Sequence, residues 1–288
     1  MNFDIFKGTD TVYITGHRNP DADSLVSAKI MQDILRANGI NAQWVIWQGD
    51  KVDPSSAMLL EDVMDQKPLV LDDEETAGKK FLLVDHNDVL QSVKNAECVL
   101  AAIDHHSSSG QIENLYFSDH CCTALYIYMM LRESYDFSDI QREQIFRAFL
   151  SDSVFGRSSR YKADKDGGAV RILGYSNDYD EYFKKYFVPT DLTDYKKAFS
   201  ENGVKSYKYS WAAMESGYIE AMDTALLTEY KDFVQNYNGN FLGIWLDYSV
   251  PKTYAFFKFG DNLYEYTYDC VASRAALIMP YIIKNFGK

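Results

Sequence analysis

Residues 12–24 read VYITGHRNPDADS, an apolar run that changes at once to glycine, histidine and aspartate. The same change occurs after FLLV, which precedes DHN at residues 85–87, and after VLAAI, which precedes DHH at residues 104–106. Apolar runs of this length between polar segments are typical of buried strands. The carboxyl ends of parallel strands border the crevice where ligands bind. We therefore expect the three polar clusters to meet at one place.

The first half of the chain alternates short apolar runs with longer segments of helical spacing. Strands are predicted at residues 11–15, 43–47, 81–84 and 98–103, and helices at residues 25–35, 58–64, 124–131 and 140–150. Strands that alternate with helices form a parallel sheet with helices on its faces. The pattern therefore predicts an α/β fold for residues 1–187. The last two helices should pack together, or one of them against the sheet.

A second domain is predicted after KKYFVPTDLT at residues 184–193, a segment with a proline and no clear apolar period. A chain of 288 residues is long enough for two domains. For residues 194–288 the pattern predicts a smaller α+β domain. Its predicted strands are residues 205–211, 241–246, 253–259 and 263–268, and its predicted helices are residues 218–234 and a last helix from Ser273 onward.

Composition narrows the class of protein. Apolar residues make up 47% of the chain and charged residues 25%, which is typical of a globular protein. The net charge of −13 disfavours nucleic acid as a partner, because the protein would repel its phosphates. The sequence shows no signal-peptide pattern, no apolar stretch of membrane-spanning length and no paired CxxC spacing. We therefore expect a cytoplasmic protein with no membrane partner.

The polar clusters would bring many carboxylates together. Such groups repel one another and raise each other's pKa unless a cation lies between them. Imidazole and carboxylate ligands without thiolate suit Mn, Fe, Co or Mg ions better than structural zinc. Each cluster alone has a simpler explanation, since Asp21 or Asp23 can cap the helix near Leu25 and residues 104–106 can end a strand. Taken together, the clusters favour a metal site with two ions.

The same clusters resemble the motifs of a known family. The stretches at residues 16–24, 85–87, 104–106 and 151–153 match, in order, the four motifs of the DHH phosphoesterase superfamily. The residues within these motifs are most similar to those of the manganese-dependent, family II inorganic pyrophosphatases. Further matches are Cys122, Thr123, Ala124, Ser273 and Arg274. The resemblance implies a parallel-sheet DHH domain and a C-terminal DHH-associated domain, with the active site in the cleft between them.

The resemblance also implies the role of each site residue. One ion would bind His17, Asp21 and Asp85, and the other would bind Asp23, Asp85, His105 and Asp152. Asp85 would bridge the two ions during catalysis, and His106 would contact the substrate or help protonate the leaving group. Lys196 and Arg274 would hold phosphate from the second domain. The implied cofactor is two Mn²⁺ ions, with Co²⁺ or Mg²⁺ as alternatives, and the implied reaction is hydrolysis of inorganic pyrophosphate.

The end of the chain departs from the family motif. Ala275, Ala276 and Leu277 stand where the family has two lysines and a glutamine. Loss of one charge-assisted phosphate contact costs about 1.5–3 kcal/mol, which weakens binding of a small and highly charged anion. Arg274 follows Ser273 at a predicted helix N-terminus, a position that favours a bound anion. The sequence therefore keeps one phosphate contact of the motif and loses others.

Three functions stay open at this point. The favoured substrate is inorganic pyrophosphate, a small phosphate compound. An exopolyphosphatase or another DHH phosphoesterase would act on a larger phosphate substrate, for which Arg157, Arg160 and Lys162 are candidate cations. A protein that binds a phosphate ligand without catalysis is the remaining alternative. The sequence is also compatible with a homodimer.

Overall fold

The computed structural model describes residues 1–287 except residues 53, 65, 94–97, 108–109 and 111. The chain divides into two compact units. The first unit contains Met1–Gly156 and Tyr161–Phe187, and the second contains Arg157–Arg160 and Val188–Lys288. The short segment Arg157–Arg160 packs with the second unit through backbone pairing, in which the Ser159 N–H donates to the Val271 carbonyl at 2.9 Å.

A parallel sheet forms the centre of the first unit. Its strands are β1 (Val12–Thr15), β2 (Ala42–Trp47), β3 (Leu69–Leu71), β4 (Lys80–Val84), β5 (Val99–Asp104) and β6 (Leu115–Phe117). Within the described residues the strand order is β3-β2-β1-β4-β5-β6, and each neighbouring pair is parallel. The chain turns to one side of β1 for β2 and β3 and to the other side for β4. The carboxyl ends of β1 and β4 therefore flank a switch point, where α/β sheets bind ligands.

The first unit also contains helices, of which the first and third along the chain contact the sheet. They are α1 (Ala22–Ala37), α2 (Pro54–Leu60), α3 (Thr123–Leu131), α4 (Asp139–Asp152), α5 (Asp166–Leu173) and α6 (Asp180–Tyr186). α1 is buried along most of its length and contacts β1, β2, α3 and α4. α3 and α4 also contact each other, so the predicted packing of these two helices is confirmed. Ser138 and Gln141 start α4 with a capping box, in which each side chain bonds the other's backbone N–H.

The second unit is a sheet with helices on its two faces. Its elements are α7 (Tyr195–Glu201), β7 (Lys205–Lys208), β8 (Ala213–Ala221), α8 (Leu227–Gln235), β9 (Phe241–Asp247), β10 (Lys252–Phe259), β11 (Asn262–Tyr268) and α9 (Met279–Phe286). The strand order is β11-β10-β9-β8-β7, with β8 and β9 parallel and the other described pairs antiparallel. Tyr230 of α8 packs with Phe199 and Trp245 on one face, and Ile282 of α9 packs on the other.

The predicted helix at residues 218–234 is wrong. Its first part belongs to β8, the chain turns, and α8 covers only Leu227–Gln235. The residues from Tyr218 to Ala221 pair in parallel with Ile244 to Asp247 of β9, which makes them part of the sheet. This pairing between distant segments outweighs the local helical spacing. The predicted strand at residues 205–211 also ends early, at Lys208.

Several other boundaries differ from the prediction. β3 and β6 were not predicted, because three-residue edge strands are too short to show a period. The predicted helix at residues 58–64 begins at Pro54 and ends at Leu60, and the predicted linker at 184–193 begins inside α6. The last helix begins as a π-helical turn, Arg274–Ile278.

The fold class itself is confirmed. A parallel sheet with flanking helices is followed by a separate and smaller α+β unit. In the part of the chain that the structure describes, no helix combines the length and the apolar character needed to cross a bilayer.

Candidate metal centre

The start of α1 packs closely against the ends of β1 and β4. Gly16 allows this approach, because a Cβ atom at its position would lie 2.5 Å from Ser24 Cβ, closer than two carbon atoms can pack. Ser24 Oγ in turn donates to Asp85 Oδ2 at 2.7 Å. The glycine of the first polar cluster is therefore required for α1 to reach the carboxylate that follows β4.

A first group of ligand-type atoms comprises His17, Asp21 and Asp85. His17 Nε2 lies 3.5 Å from Asp21 Oδ2 and 3.5 Å from Asp85 Oδ2. The other ring nitrogen, Nδ1, lies 3.0 Å from the Arg18 carbonyl. A carbonyl oxygen only accepts, so Nδ1 carries a proton, and Nε2 is the ring nitrogen that faces the two carboxylates and would bind a cation between them.

A second group comprises Asp23, Asp85, His105 and Asp152. His105 Nε2 lies 3.1 Å from Asp85 Oδ1, 3.2 Å from Asp152 Oδ2 and 3.9 Å from Asp23 Oδ2. His105 Nδ1 donates to the His120 carbonyl at 3.1 Å, which again directs the Nε2 lone pair toward carboxylates. Asp85 belongs to both groups and offers Oδ2 to the first and Oδ1 to the second. Its carboxylate therefore has the geometry of a bridging ligand.

The N-terminus of α3 orients Asp23. The Thr123 N–H donates to Asp23 Oδ2 at 2.6 Å, and the Ala124 N–H donates to Oδ1 at 2.7 Å. Cys122 Sγ lies 3.2 Å from Oδ1, and burial raises the pKa of this thiol well above its usual value. The thiol therefore stays protonated and donates. The centre offers oxygen and imidazole ligands without thiolate, a set that suits Mn²⁺, Co²⁺ or Mg²⁺.

The carboxylates are poorly stabilised as anions without a cation. Burial, and then the neighbouring Asp85, raises the pKa of Asp23 to about 7. Burial and the neighbouring Asp21 raise the pKa of Asp85 to about 6. Asp85 also has a left-handed backbone with φ of 61°, which is uncommon for a residue with a side chain and is found more often at functional sites. The residues present fit a pair of divalent cations, which would remove this repulsion.

His106 lies beside the two groups and is held by Asp104. His106 Nδ1 donates to Asp104 Oδ1 at 2.9 Å, and it lies 3.8 Å from Asp85 Oδ1. Burial would raise the pKa of Asp104, but the hydrogen bonds from His106 outweigh it and hold that pKa at about 2. Asp104 is therefore an anion that fixes the ring of His106. Asp85, Asp104, His105 and His106 form a third group of ligand-type atoms.

Comparison with known families agrees with this arrangement. Residues 11–151 match the family described as "DHH family, N-terminal domain". Residues 11–151 are a DHH domain. The matched segment begins one residue before β1 and ends in the last turn of α4. It therefore includes all three strand ends that supply the candidate ligands.

Two curated relatives are similar to part of this chain. A Staphylococcus carnosus protein, named as a probable manganese-dependent inorganic pyrophosphatase, is 30% identical over 171 residues, or 57% of this chain and 54% of that protein. A Bacillus subtilis protein named manganese-dependent inorganic pyrophosphatase is 30% identical over 173 residues, with 57% and 54% covered. The match thus spans about half the length of these relatives.

A solved structure is similar over nearly the whole chain. A Methanococcus jannaschii protein, described as a "putative family II inorganic pyrophosphatase", aligns with a TM-score of 0.74 and 17% identity. The alignment covers 96% of this chain and 100% of that one. At this identity the likeness shows that the fold is shared, including a second unit after the DHH domain.

Two further residues of the DHH motifs support the centre without facing it. His86 Nδ1 donates to the Val84 carbonyl at 2.9 Å, and its Nε2 lies 2.6 Å from Ser92 Oγ. Burial lowers the pKa of His86 to about 4, so the ring stays neutral. Asn87 Nδ2 donates to Asp104 and to the carbonyls of the loop after β5. Both residues hold the loops that follow β4 and β5 in the DHH domain.

The predicted phosphate contacts lie outside the DHH domain. Lys196 is exposed in the first turn of α7. Arg274 Nη1 donates to the carbonyls of Gly203 and Ser216 at 2.7 and 3.1 Å, and its guanidinium lies over the Tyr218 ring. These contacts fix the position of Arg274 in the second unit, and its role toward phosphate stays a prediction, as does that of Lys196.

The other cations that were candidates for phosphate binding lie at different places in the structure. Lys162 Nζ pairs with Asp119 Oδ2 at 2.7 Å on the surface of the first unit. Arg157 and Arg160 belong to the second unit. The side chains of Ala275 and Ala276 lie outside the described part of the chain. Sequence reasoning gave no role at the site to Ser24, Thr123, His120 or Asp166, which bond to the ligand residues or to the segment that holds them.

Proposed function

We propose that this chain is a metal-dependent phosphohydrolase that hydrolyses inorganic pyrophosphate to phosphate, with two Mn²⁺ ions as its cofactor. The observation that carries the proposal is the position of Asp85 between two groups of ligand-type atoms. The proposed ligands are His17, Asp21, Asp23, Asp85, His105 and Asp152. The pyrophosphatase names of the curated relatives support the choice of substrate and of manganese.

The chemistry follows from what each residue does at this centre. Two divalent ions, when bound, lower the pKa of a nucleophilic water and neutralise charge on phosphoryl oxygens. Asp85 keeps the two cation sites adjacent through its two oxygens. Asp23 and His105 are held rigidly by α3 and by the His120 carbonyl, so they need little reorganisation to bind.

His106 is the proposed group that handles a proton for the leaving phosphate. Because Nδ1 donates to Asp104, the ring presents Nε2 on its other edge, and the side chain is about one third exposed. Burial and the neighbouring His105 lower the pKa of His106. The neutral ring would first take up a proton from water at Nε2, and because its pKa is lowered, the resulting imidazolium would be a stronger acid, which suits transfer of that proton to a departing phosphate oxygen.

A longer phosphate chain is the second candidate substrate. Ala275 and Ala276 replace two lysines of the family motif, and the loss of two positive charges lowers affinity most for the smallest and most densely charged anion. We further propose a cytoplasmic location, because none of the four cysteines forms a disulfide bond in the described part of the chain. A homodimer stays a prediction.

The test is phosphate release from pyrophosphate, tripolyphosphate and a simple phosphoester, each with Mn²⁺, Co²⁺ and Mg²⁺. We expect pyrophosphate with Mn²⁺ to give the highest kcat/KM. A higher kcat/KM for tripolyphosphate would identify the longer phosphate chain as the substrate. Bound Mn²⁺ with no hydrolysis of any compound would contradict the enzyme proposal and leave a binding protein.

A further inference from the structure

The segment that leads into α3 contacts two candidate ligands at once. We call residues 120–124 the α3 entry segment. The His120 carbonyl accepts from His105 Nδ1, and the N–H groups of Thr123 and Ala124 donate to Asp23. Any shift of this segment would move both ligand side chains. Its position is therefore part of what determines the affinity of the centre for an ion.

Asp166 fixes this segment from the side opposite to the metal centre. It is fully buried at the start of α5. Asp166 Oδ1 accepts from His120 Nδ1 at 2.9 Å and from the Cys121 N–H at 3.3 Å. Asp166 Oδ2 accepts from the Lys162 N–H at 2.8 Å. Burial would raise the pKa of Asp166, but these hydrogen bonds outweigh it and hold that pKa below its usual value, so the group is an anion.

One peptide group joins Asp166 to His105. The His120 carbonyl and the Cys121 N–H belong to the same planar unit and point in opposite directions. A carboxylate on the N–H side polarises this unit and strengthens the carbonyl as an acceptor. A stronger acceptor at Nδ1 makes the opposite nitrogen of His105 a better ligand and fixes its direction.

We propose that Asp166 and His120 form a positioning pair that sets the divalent-ion affinity of the metal centre by holding the peptide group between His120 and Cys121 against His105. The His120 ring closes the arrangement, because it donates to the same oxygen as the Cys121 N–H. Neither residue belongs to the groups of candidate ligand atoms. The inference rests on the proposed function only in requiring that the centre bind divalent ions.

A purely structural role for the pair is the competing explanation. Asp166 accepts backbone hydrogen bonds at the start of α5, and such bonds stabilise the fold regardless of any ion. Asp119 provides a matched control for that role. It is adjacent to His120 in sequence and pairs with Lys162 and Lys165 at the surface. Asp119→Asn therefore loosens the same loop but removes none of the groups that donate to Asp166.

The experiment measures Mn²⁺ affinity by competition with a chelating dye, in the full chain and without substrate. His120→Leu removes the ring donor, and His120→Asn keeps an N–H donor close to the position of Nδ1. We expect His120→Leu and Asp166→Asn to weaken Mn²⁺ binding by about 10- to 100-fold, the usual effect of losing a partner of a ligand. His120→Asn and Asp119→Asn should stay within about threefold of the unchanged protein.

Two further readouts separate positioning from folding. The absorption spectrum of bound Co²⁺ should change in His120→Leu and return in His120→Asn, while melting of the metal-free protein reports stability alone. Equal Mn²⁺ affinity in the unchanged protein and His120→Leu would overturn the inference. So would equal weakening by His120→Leu and His120→Asn. If Asp166→Asn does not fold, the two His120 variants decide the question.

Failure of the positioning role can be distinguished from failure of the proposed enzymatic function. Because the titration contains no phosphate compound, an unchanged protein that binds Mn²⁺ but hydrolyses nothing contradicts only the enzyme proposal. An unchanged protein that binds neither Mn²⁺ nor Co²⁺ overturns the positioning role and the metal cofactor together.

Discussion

Asp85 is the residue on which both candidate ion sites depend. Its two oxygens face different histidines, Oδ2 toward His17 and Oδ1 toward His105. The strained left-handed backbone and the bond from Ser24 hold the carboxylate in this position. With the proposed ligands, the charge of this one side chain would contribute to the affinity for each ion.

Asp85→Asn should lower both Mn²⁺ affinity and hydrolysis by more than about 100-fold, because loss of even an outer partner of a ligand costs about 10- to 100-fold. The amide keeps the shape of the side chain but removes its charge and one acceptor oxygen. Asp10→Asn, at an exposed position, is the matched control. Hydrolysis that survives in Asp85→Asn at the rate of this control would exclude a bridging role.

The raised carboxyl pKa values predict how Mn²⁺ affinity depends on pH. Below pH 6 an ion must displace protons from both Asp23, with a pKa of about 7, and Asp85, with a pKa of about 6. Between pH 6 and 7 mainly Asp23 is still protonated, so affinity should rise about tenfold per pH unit and then level off above about pH 7. Titrations at fixed ionic strength measure this, and affinity independent of pH from 5.5 to 7 would contradict it.

Gly16→Ala should destabilise the fold by about 1–3 kcal/mol, the usual cost of overpacking a tight site. The new methyl group would collide with Ser24 Cβ and move the side chain that bonds Asp85. Gly168→Ala is the control, since the nearest atom to a Cβ there is the tip of Arg171 at 3.9 Å and the site is helical. Denaturant unfolding should separate the two variants, and equal stability would show that Gly16 is not required by packing.

Single residues also show how far sequence reasoning reaches. The six candidate ligands were identifiable because each lies in a short motif at the end of a strand or helix. Asp166 and His120 were not, because they are separated by 46 positions and act through a backbone carbonyl. A backbone carbonyl accepts a hydrogen bond whatever the side chain of its residue, so a contact of this kind leaves no motif in the sequence.

At the scale of elements, the hydrophobic period of the sequence correctly predicted the central strands of the first sheet but did not predict β8. β1, β4 and β5 are buried on both faces, so their apolar runs are unambiguous. β8 contains Gly217 and the buried polar Ser216, and it becomes a strand through pairing with β9 and β7. The π-helical turn at Arg274–Ile278 likewise depends on both the Leu277 and Ile278 N–H groups donating to the Ser273 carbonyl.

The start of α4 gives a prediction for a whole element. Ser138→Ala removes one half of the capping box and should cost about 1 kcal/mol of stability. Asp152 lies at the opposite end of this helix, so Mn²⁺ affinity should change by less than about twofold. Thermal melting and Mn²⁺ titration of the same sample check both values. A large loss of affinity with unchanged melting would contradict this separation.

At the scale of the whole molecule, two compact units carry different parts of the proposed chemistry. The first supplies all proposed ligands of the ions, and the second supplies the proposed phosphate contacts Lys196 and Arg274. The net charge of −13 makes a bound cation pair important for any anionic substrate, because the protein as a whole repels it. The metal centre is therefore the claim on which substrate, mechanism and positioning pair depend.

The most direct test of that claim is an anomalous difference map from crystals grown with Mn²⁺. We predict two peaks, one on each side of the Asp85 carboxylate, with His17 and Asp21 beside the first and Asp23, His105 and Asp152 beside the second. A map without peaks at Asp85, or with manganese bound only at other residues, would contradict the account.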